Sequence, residues 1–410
     1  MELKDGHYVI QDVRVATIAE RFGTPVYVYD AGKIIHQLKT LRTVFSNSDV
    51  KIKYAIKALS NLSVLRLLQK HGAGADAVSI QEVHLALKAG FLPAEIMFSP
   101  NCADFSEIEE AVKLGLTINI DNLSYLKKFG SQYRSSYPCS IRLNPHILAG
   151  GNIKISTGHS ESKFGISVYQ LPQIMEVVNQ YNIRVNGLHI HTGSDITETD
   201  VFLKMADIFF SVARDFPDLK FIDFGSGFKV AYKEGDTVTN VFDLGIKLTE
   251  SFNAFCKQYG RKLELWFEPG KFIVSEAGVL LAKVTVVKST PSTTFVGVNT
   301  GLNHLLRPMM YDAYHHIVNI SNPSGEQKLY TVVGYICETD TLGADRKLNE
   351  VREGDILAIK NAGAYGFSMA SNYNSRLRPA EALIINNETK LIREAEGFDD
   401  LLDGQIDISL

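Results

Sequence analysis

The sequence has little of what marks secreted, membrane-spanning or disulfide-stabilised proteins. Its 410 residues contain four scattered cysteines and no CxxC pair, which excludes a disulfide framework and disfavours a structural zinc site. No apolar run is long enough to cross a bilayer, and the first ten residues contain no apolar stretch typical of a secretory signal. We therefore expect a cytoplasmic protein without a membrane partner, whose cysteines are mostly inert core thiols.

The chain also lacks a large net charge of either sign. The formal net charge is -4, so the electrostatic signature of a nucleic-acid-binding protein is missing. Hydrophobic residues make up 45% and charged residues 21% of the chain, which is typical of a folded globular protein. No fixed-period repeat and no Pro-rich or Ser-rich linker interrupts it. At about 150 residues per domain, the length allows two or three domains.

Short apolar segments alternate with longer amphipathic ones over the first two thirds of the chain. Candidate strands lie at 51–56, 74–78, 95–98, 117–121, 139–143, 185–191, 219–224 and 263–267. Helical patterns lie between most of them, at 61–70, 80–90, 104–114, 168–181, 198–215 and 240–258, and a long excursion at 150–166 precedes one helix. Eight strands, each followed by a helix or a long loop, predict an α/β fold of the (β/α)8 TIM barrel type.

The pattern changes after about residue 275. Strand-like segments follow one another with few helices between them, at 279–288, 293–298, 329–337, 355–360 and 381–386. This succession of strands predicts an antiparallel β domain. A short alternation of apolar and polar residues within the first 24 residues can contribute to the same domain. The predicted domains are therefore a barrel over 25–275 and a β-rich domain formed by 1–24 plus 276–410.

Polar residues follow the carboxyl ends of the predicted barrel strands, where TIM barrels carry their functional side chains. In chain order they are Lys57, Asp76, Ser79, Asn101, Asn144, His191, Gly225-Ser226-Gly227 and Glu268-Pro269-Gly270-Lys271. Lys57 comes directly after an apolar strand, where a lysine must find a carboxylate, lower its pKa or form an imine. The alternative is an ordinary lysine emerging at a strand end.

Each of the other barrel candidates also has a structural alternative. The Gly-Ser-Gly turn can present backbone N–H groups to a phosphate, or it can be an ordinary tight turn. It does not match GxGxxG, which disfavours dinucleotide binding. Glu268 can pair with a protonated heterocyclic nitrogen or form a structural salt bridge. His191 can act as an acid or base, stack on a flat ring, or be a satisfied core histidine.

Two further clusters fall in the predicted β domain. The first contains Arg307, Tyr311, Tyr314 and His315, and the second contains Cys337, Glu338, Asp340 and Arg346, with Tyr365 further on. An Arg–Tyr pair suits a substrate carboxylate. A Cys–Glu pair can supply a proton donor and a carboxylate that binds a cation, although a buried inert thiol is the common alternative for a free cysteine.

The motifs taken together indicate a protein family more specifically than any single motif does. The segments YAIKA, RLNP, STGHSESKFGI, GLHIHTGS, FGSGF, EPGK, LLRPMMYDAYH, YICET and NAGAYGFSMASNYN occur in this order. In this the chain resembles the fold-type III pyridoxal-phosphate-dependent decarboxylases, from about residue 20 to 390. The resemblance implies an alanine-racemase-type barrel followed by a β domain, pyridoxal 5'-phosphate as cofactor, no metal, and a head-to-tail homodimer with shared active sites.

The resemblance also implies a role for each matched residue. Lys57 matches the lysine that binds the cofactor covalently, His191 the histidine stacked on its ring, and Glu268 the partner of its pyridine nitrogen. The other implied cofactor contacts are Asp76, Ser194, Gly225, Ser226, Gly227, Gly270, Lys271 and Tyr365. The implied substrate contacts are Lys271, Arg307, Tyr311, Glu338 and Tyr365. Cys337 matches the proton donor, which the family offers together with its glutamate from the partner chain.

Two departures from the family pattern stand out. Lys271 replaces the arginine of the usual EPGR, which keeps the charge but loses the bidentate fork. The usual GPxCES reads GYICET, which keeps the Cys337–Glu338 pair but loses a proline from the loop. Neither change removes a group that the chemistry requires.

The expected reaction follows from the implied roles of Arg307 and Glu338. Opposite charges at the distal end of the substrate suit meso-2,6-diaminopimelate, whose decarboxylation gives L-lysine and CO2. Three alternatives remain at this point. An ornithine- or arginine-type decarboxylase is expected to carry an acidic group in place of Arg307, and an amino-acid racemase needs a second base on the opposite face of the ring. A non-catalytic relative that binds a partner protein is expected to lack Lys57 or Cys337.

Overall fold

The protein is described by a computed structural model that covers residues 1–147, 150 and 157–408, so the predicted excursion at 150–166 lies partly outside the described residues. Contacts divide the chain into two compact units. The barrel unit is Ile35–Ala231 with Thr237–Ile273, and the β-rich unit is Met1–Ile34 with Tyr232–Asp236 and Val274–Leu410. The domain limits of 25–275 and of 1–24 plus 276–410 were set by sequence pattern alone and stay predictions.

Most strands of the described residues are short. In chain order they are β1 (Glu2–Lys4), β2 (His7–Ile10), β3 (Val13–Arg14), β4 (Val26–Asp30), β5 (Asp49–Ala55), β6 (Gly74–Ala77), β7 (Ile96–Phe98), β8 (Thr117–Ile120), β9 (Cys139–Asn144), β10 (Ile166–Ser167), β11 (Val185–Ile190), β12 (Phe221–Asp223), β13 (Glu264–Phe267), β14 (Gly278–Ser289), β15 (Thr294–Val298), β16 (Ile317–Asn319), β17 (Gln327–Val333), β18 (Thr341–Asn349), β19 (Ile356–Ile359), β20 (Ala380–Ile385) and β21 (Glu388–Arg393).

The helices of the same residues are concentrated between the barrel strands. The α-helices are α1 (Val15–Phe22), α2 (Ala31–Val44), α3 (Leu62–Lys70), α4 (Ile80–Ala89), α5 (Phe105–Leu114), α6 (Leu123–Tyr133), α7 (Leu171–Tyr181), α8 (Thr199–Ala213), α9 (Val241–Tyr259), α10 (Lys271–Val274) and α11 (Arg307–Tyr311). Short 3-10 helices lie at Ile56–Ala58, Pro93–Glu95, Val168–Gln170, Phe367–Met369, Tyr373–Ser375 and Phe398–Leu401. In the part of the chain that the structure describes, none of the helices combines the length and apolar character needed to span a bilayer.

A closed barrel of parallel strands forms the barrel unit. Over the described residues, eight strands run in the order β5-β6-β7-β8-β9-β11-β12-β13, β13 pairs with β5 to close the ring, and the short β10 pairs with β9. All eight strands correspond to predicted ones, because each is a short apolar run flanked by turn residues. The predicted TIM-barrel fold is confirmed.

Local signals fix where the barrel helices begin and end. The hydroxyl of Ser79 accepts a hydrogen bond from the Glu82 backbone N–H at 3.2 Å and caps α4, and Gly90 ends this helix with a left-handed φ of +102°. Asp104 and Gly115 do the same for α5. N-cap oxygens and C-terminal glycines satisfy backbone groups that a helix leaves unpaired. Helices of defined length thereby connect consecutive barrel strands.

The β-rich unit contains a large, mostly antiparallel sheet. Its main path is β18-β17-β15-β14-β4-β20-β21, with β19 paired to β14 and β16 paired to β19. Two of its pairings are parallel, β4 with β20 and β15 with β17. The early strands β1, β2 and β3 form a separate small sheet, and Ile10 and Val15 pack in one core with Val28 and Leu281. The first residues thus contribute to the core of this unit.

Candidate active site

Lys57 and Asp76 form an ion pair at the carboxyl ends of neighbouring barrel strands. Lys57 lies in the 3-10 helix that follows β5, Asp76 lies near the end of β6, and the Lys57 Nζ is 2.9 Å from the Asp76 Oδ2. The Asp76 side chain is 1% exposed, whereas that of Lys57 is 38% exposed. Burial and the Glu268 charge raise the pKa of Asp76, and the Lys57 ammonium opposes them. Lys57 is therefore anchored at its tip and still reachable.

Glu268 is a buried carboxylate at the end of β13. Its Oε2 accepts a hydrogen bond from the Nε2 of His189 at 2.9 Å, and its Oε1 is buried without a partner among the described residues. Burial alone acts to raise its pKa, but His189, Lys57 and His191 together lower the pKa of Glu268 to about 2. Glu268 therefore stays ionised and offers one oxygen to a hydrogen-bond donor.

His191 follows β11 and is only half-buried. Its Nδ1 accepts a hydrogen bond from the Ser226 backbone N–H at 3.3 Å, so the proton of the neutral ring is assigned to Nε2 from this contact. Burial and the neighbouring charges of Arg142 and Lys57 hold the pKa of His191 well below its usual range. A neutral imidazole can stack its flat face on a ligand ring without placing a positive charge there.

The Gly-Ser-Gly turn after β12 requires its glycines. Gly225 has a φ of +59° and Gly227 a φ of +130°, and both values lie where side chains are disfavoured. A Cβ on Gly225 would lie 2.8 Å from the His191 Nδ1, and a Cβ on Gly227 would lie 2.7 Å from the Ile196 Cδ1. The turn can therefore bring its backbone close to a ligand beside His191.

Lys271 is buried and already has a counter-ion. It begins α10, is 8% exposed, and its Nζ lies 2.9 Å from both carboxylate oxygens of Asp195. Asp195 follows Ser194 in the loop after β11 and has a left-handed φ of +64°. Directly before Lys271, a Cβ on Gly270 would lie 2.9 Å from the Cβ of Ala58. The chain thus passes close behind the segment that carries Lys57.

Sequence reasoning missed Asp195 and three buried polar residues inside the barrel. His189 on β11 lies directly opposite Arg142 on β9 and Asp223 on β12 in the strand register. Burial and the Glu268 charge hold the pKa of Asp223 well above its usual range. The available signals were the first histidine of GLHIHTGS and the arginine of RLNP, each of which stands in an apolar strand.

Three of the predicted strand-end residues form hydrogen bonds that stabilise the local structure. Ser79 caps α4. The side-chain amide of Asn144 donates to the carbonyl oxygens of His159 at 3.0 Å and Phe164 at 3.2 Å, and so holds the following loop. Asn101 donates to the carboxylate of Asp121. All three form side-chain hydrogen bonds that fix the chain after a strand.

In the β-rich unit, Arg307 is held against an aromatic ring. It is the first residue of α11 and 6% exposed, and its guanidinium carbon lies 5.1 Å from the ring centroid of Tyr232. Its Nε is buried without a partner within the described part of the chain. Tyr311 ends the same short helix. An oriented guanidinium with an unused donor suits a carboxylate.

Cys337 and Glu338 are both exposed, so Cys337 is not a buried core thiol. The Tyr373 hydroxyl donates a hydrogen bond to the Glu338 Oε1 at 2.8 Å, and the Cys337 Sγ lies 3.3 Å from the Asn374 Oδ1. Hydrogen bonds to Glu338 and Cys337 raise the pKa of Tyr373 to about 12. The Cys337 thiol and the Glu338 carboxylate therefore both contact the Tyr373 hydroxyl.

The loop around this pair is fixed by a buried carboxylate. Asp340 is 1% exposed and accepts hydrogen bonds from the backbone N–H groups of Leu302 at 2.6 Å and Ile336 at 2.9 Å. Further along the chain, Tyr365 has a φ of +56°, a left-handed conformation that costs energy in a residue with a side chain. The Asp340 hydrogen bonds therefore fix the loop that carries Cys337 and Glu338, and the backbone at Tyr365 is held in a strained conformation.

Comparison with known proteins identifies this arrangement. The fold and the lysine-bearing barrel are those of a family described as "Pyridoxal-dependent decarboxylase, pyridoxal binding domain", whose profile matches residues 31–275. The diaminopimelate decarboxylase of Methanothermobacter thermautotrophicus is 36% identical over 99% of this chain and 97% of its own length.

Solved structures agree with the sequence comparison. A Helicobacter pylori diaminopimelate decarboxylase complexed with L-lysine is 34% identical and superposes with a TM-score of 0.86 over 95% of this chain and 98% of its own. The Methanocaldococcus jannaschii enzyme in co-complex with L-lysine is 32% identical, with a TM-score of 0.91 over 99% and 98%. The chain therefore belongs to the diaminopimelate decarboxylase family. Its cofactor is pyridoxal phosphate, and the predicted family resemblance, enzyme class and cofactor are confirmed.

Proposed function

We propose that the carboxyl-end face of this barrel holds pyridoxal phosphate for the decarboxylation of meso-2,6-diaminopimelate to L-lysine and CO2. The observation that carries the proposal is a buried, ionised Glu268 with one oxygen that has no partner among the described residues, on the same barrel as a reachable Lys57. Pyridoxal phosphate, when bound, supplies an electron sink for the electron pair left behind by departing CO2. Relatives in the same family are seen in complex with L-lysine, the product of this reaction.

The barrel residues fit this cofactor. Lys57 would bind it covalently, and the Oε1 of Glu268 would hold a proton at the ring nitrogen, because a buried carboxylate oxygen that has no partner among the described residues needs a donor. The neutral imidazole of His191 would stack on the ring. The phosphate contacts are assigned to Ser194, Gly225, Ser226 and Gly227. The other cofactor contacts are assigned to Asp76, Gly270, Lys271 and Tyr365.

The substrate contacts are assigned by charge. Arg307 binds the distal carboxylate and Glu338 the distal ammonium, and Tyr311 and Tyr365 are assigned as further substrate contacts. Lys271 is the weaker candidate for a substrate carboxylate, since Asp195 already matches its charge at 2.9 Å. Opposite charges at the distal end select a substrate that is an amino acid at both ends.

Cys337 returns a proton to the α carbon after CO2 leaves. Its thiol is exposed and lies beside the Asn374 side chain, so a substrate or a second chain can reach it. We assign the working protein as a homodimer in which Cys337 and Glu338 act across the interface. A cytoplasmic location suits it, because the thiols of Cys102 and Cys337 are both exposed and a reducing compartment protects them.

A CO2-release assay tests the reaction. The purified protein with pyridoxal phosphate is offered meso-diaminopimelate, ornithine, arginine and lysine, and rapid release is expected from the first alone. Arg307→Gln is expected to raise KM for diaminopimelate much more than it lowers kcat. Faster release from ornithine or arginine would replace the proposal with a basic amino-acid decarboxylase, and D/L exchange without CO2 would replace it with a racemase.

Mixing two inactive variants tests the shared site. Lys57→Ala and Cys337→Ala proteins each lack one half of the machinery, and exchange of subunits between homodimers creates hybrids with one intact site. Random reassortment is expected to restore about a quarter of the wild-type activity. Sedimentation of the untreated protein as a monomer, or mixtures that stay inactive after verified exchange, would contradict shared sites.

A further inference from the structure

A layer of charged and polar side chains lies in the barrel interior, where most TIM barrels pack branched apolar residues. Arg142, His189 and Asp223 stand opposite one another on three adjacent parallel strands. Their exposed fractions are 7%, 1% and 0%. Since uncompensated polar groups at such sites are destabilising, the layer needs an explanation other than packing.

His189 connects this layer to the carboxylate assigned to the cofactor. It lies in β11 two residues before His191, its Nε2 is 2.9 Å from the Glu268 Oε2, and the two side chains are 2% and 7% exposed. The contact occupies one carboxylate oxygen and leaves the other, Oε1, unpartnered among the described residues. His189 therefore determines which oxygen of Glu268 is available and in which direction it points.

The surroundings of Glu268 make its charge state sensitive to this histidine. Burial opposes the ionised form, while His189 gives the largest favourable contribution and Lys57 a smaller one. The buried carboxyls of Asp76 and Asp223 interact with Glu268, and Arg142 faces the same interior. Removing the His189 contact takes away the largest favourable contribution to the ionised form of Glu268 and leaves the opposing carboxyls of Asp76 and Asp223 in place.

We propose that His189 is a positioning residue that holds Glu268 ionised and oriented, so that one carboxylate oxygen is reserved for the protonated ring nitrogen of the cofactor. The proposal rests on the role assigned to Glu268 above. His189 itself is not assigned a contact with substrate or cofactor, and it acts through Glu268. A ring nitrogen that keeps its proton keeps the cofactor an effective electron sink.

Two variants separate hydrogen bonding from packing. His189→Leu fills similar volume and removes the donor, whereas His189→Gln places an amide N–H where the Nε2 lies. We expect kcat to fall about tenfold to a hundredfold in His189→Leu, the range found for residues that orient a ligand in metal sites, with KM for diaminopimelate little changed. His189→Gln is expected to recover most of the loss, which a purely packing role does not predict.

A spectroscopic measurement follows the ring nitrogen itself. Holoenzyme is prepared with pyridoxal phosphate labelled with nitrogen-15 in the ring, and its NMR signal reports protonation of that nitrogen across a pH series. The signal is expected to lie at the protonated position in the wild type and His189→Gln, and to move towards the neutral position in His189→Leu and Glu268→Gln. His304→Gln, which removes a buried histidine from the β-rich unit, is the control and is expected to leave the signal unchanged.

A double-mutant cycle decides whether His189 acts through Glu268. If it does, His189→Leu/Glu268→Gln is no slower than Glu268→Gln alone. Multiplied losses, or an unchanged nitrogen signal in a folded His189→Leu holoenzyme, would overturn the proposal. If Glu268→Gln also leaves the signal unchanged, the assigned role of Glu268 fails with it, whereas CO2 release by the wild type tests the reaction independently.

Discussion

Glu268 and Lys271 of the barrel unit and the Cys337–Glu338 pair of the β-rich unit are held in different ways. Glu268 and Lys271 are each 8% exposed, and each has a partner 2.9 Å away, His189 and Asp195 respectively. Cys337 and Glu338 are exposed, and their contacts come from the neighbouring Tyr373–Ser375 segment. One set is fixed inside a closed barrel and the other stands on loops.

The difference matches the work proposed for each set. Charges in a water-poor interior interact strongly and need no reorganisation during reaction, so a buried set suits control of the cofactor ring. Groups that bind and release a substrate must be reachable, and exposed charges are screened by water and salt. We expect changes in the barrel set to affect chemistry and stability together, and changes in the exposed set to affect turnover alone.

The largest expected effect is in Lys57→Ala. Because Lys57 is the proposed attachment site of the cofactor, turnover is expected to fall by about a thousandfold or more and the visible absorbance of the lysine-bound cofactor to vanish. Lys51→Ala, in the strand just before Lys57, is the matched control and is expected to stay active. Retention of the absorbance band in Lys57→Ala would mean that another lysine is the attachment site.

Cys337→Ala is expected to lower kcat by about a hundredfold, the size of a lost proton donor. Cofactor absorbance and the unfolding temperature are expected to stay near those of the wild type, because the thiol is exposed. Cys102→Ala removes another exposed thiol and serves as the control. Equal rates in the two variants would leave Cys337 without a catalytic role.

Much of this pattern was predictable from the sequence, because barrel strands are short apolar runs and functional residues follow their carboxyl ends. Lys57, His191 and Glu268 were found in that way. Asp195 and His189 were missed, since their partners lie far along the chain and depend on how a loop is placed or how two strands register. The expectation that the cysteines are mostly core thiols was wrong for Cys102, which is exposed. A lone cysteine outside a periodic pattern gives no burial signal.

Lys271→Ala is a smaller test of the barrel set. It leaves the Asp195 carboxylate, which is 22% exposed, without its cation, and breaking such a pair costs about 3 kcal/mol. We expect the unfolding temperature to fall by about 5 °C or more, with weaker cofactor binding. In Lys271→Ala/Asp195→Ala the loss is expected to be smaller than the sum of the single losses. Strict additivity in calorimetry would show that the two side chains act independently.

The smallest expected effect is at Glu350 in the β-rich unit. Hydrogen bonds from Lys328 at 2.8 Å and Arg352 at 2.7 Å lower the pKa of Glu350 to about 2. Because this lies below the unfolded value of about 4.3, the group stabilises the fold above that pH, and its contribution is lost as pH falls through about 2. Glu350→Gln is expected to lower the unfolding temperature slightly at neutral pH, and less in high salt or near pH 2. If the change in unfolding temperature caused by Glu350→Gln does not depend on salt, the charge of Glu350 is not screened by solvent ions and the prediction is wrong.

The pairing of β4 has a consequence for how the chain is made. This strand lies at Val26–Asp30, yet its two neighbours in the sheet are β14 and β20, at Gly278–Ser289 and Ala380–Ile385. A ribosome that adds about 5–20 residues per second takes on the order of ten seconds or longer to deliver the first of these partners. During that interval the whole barrel segment emerges and can begin to fold, while the apolar edge of β4 waits unpaired. The nascent chain is therefore expected to be most vulnerable to aggregation and to chaperone binding near its N-terminus.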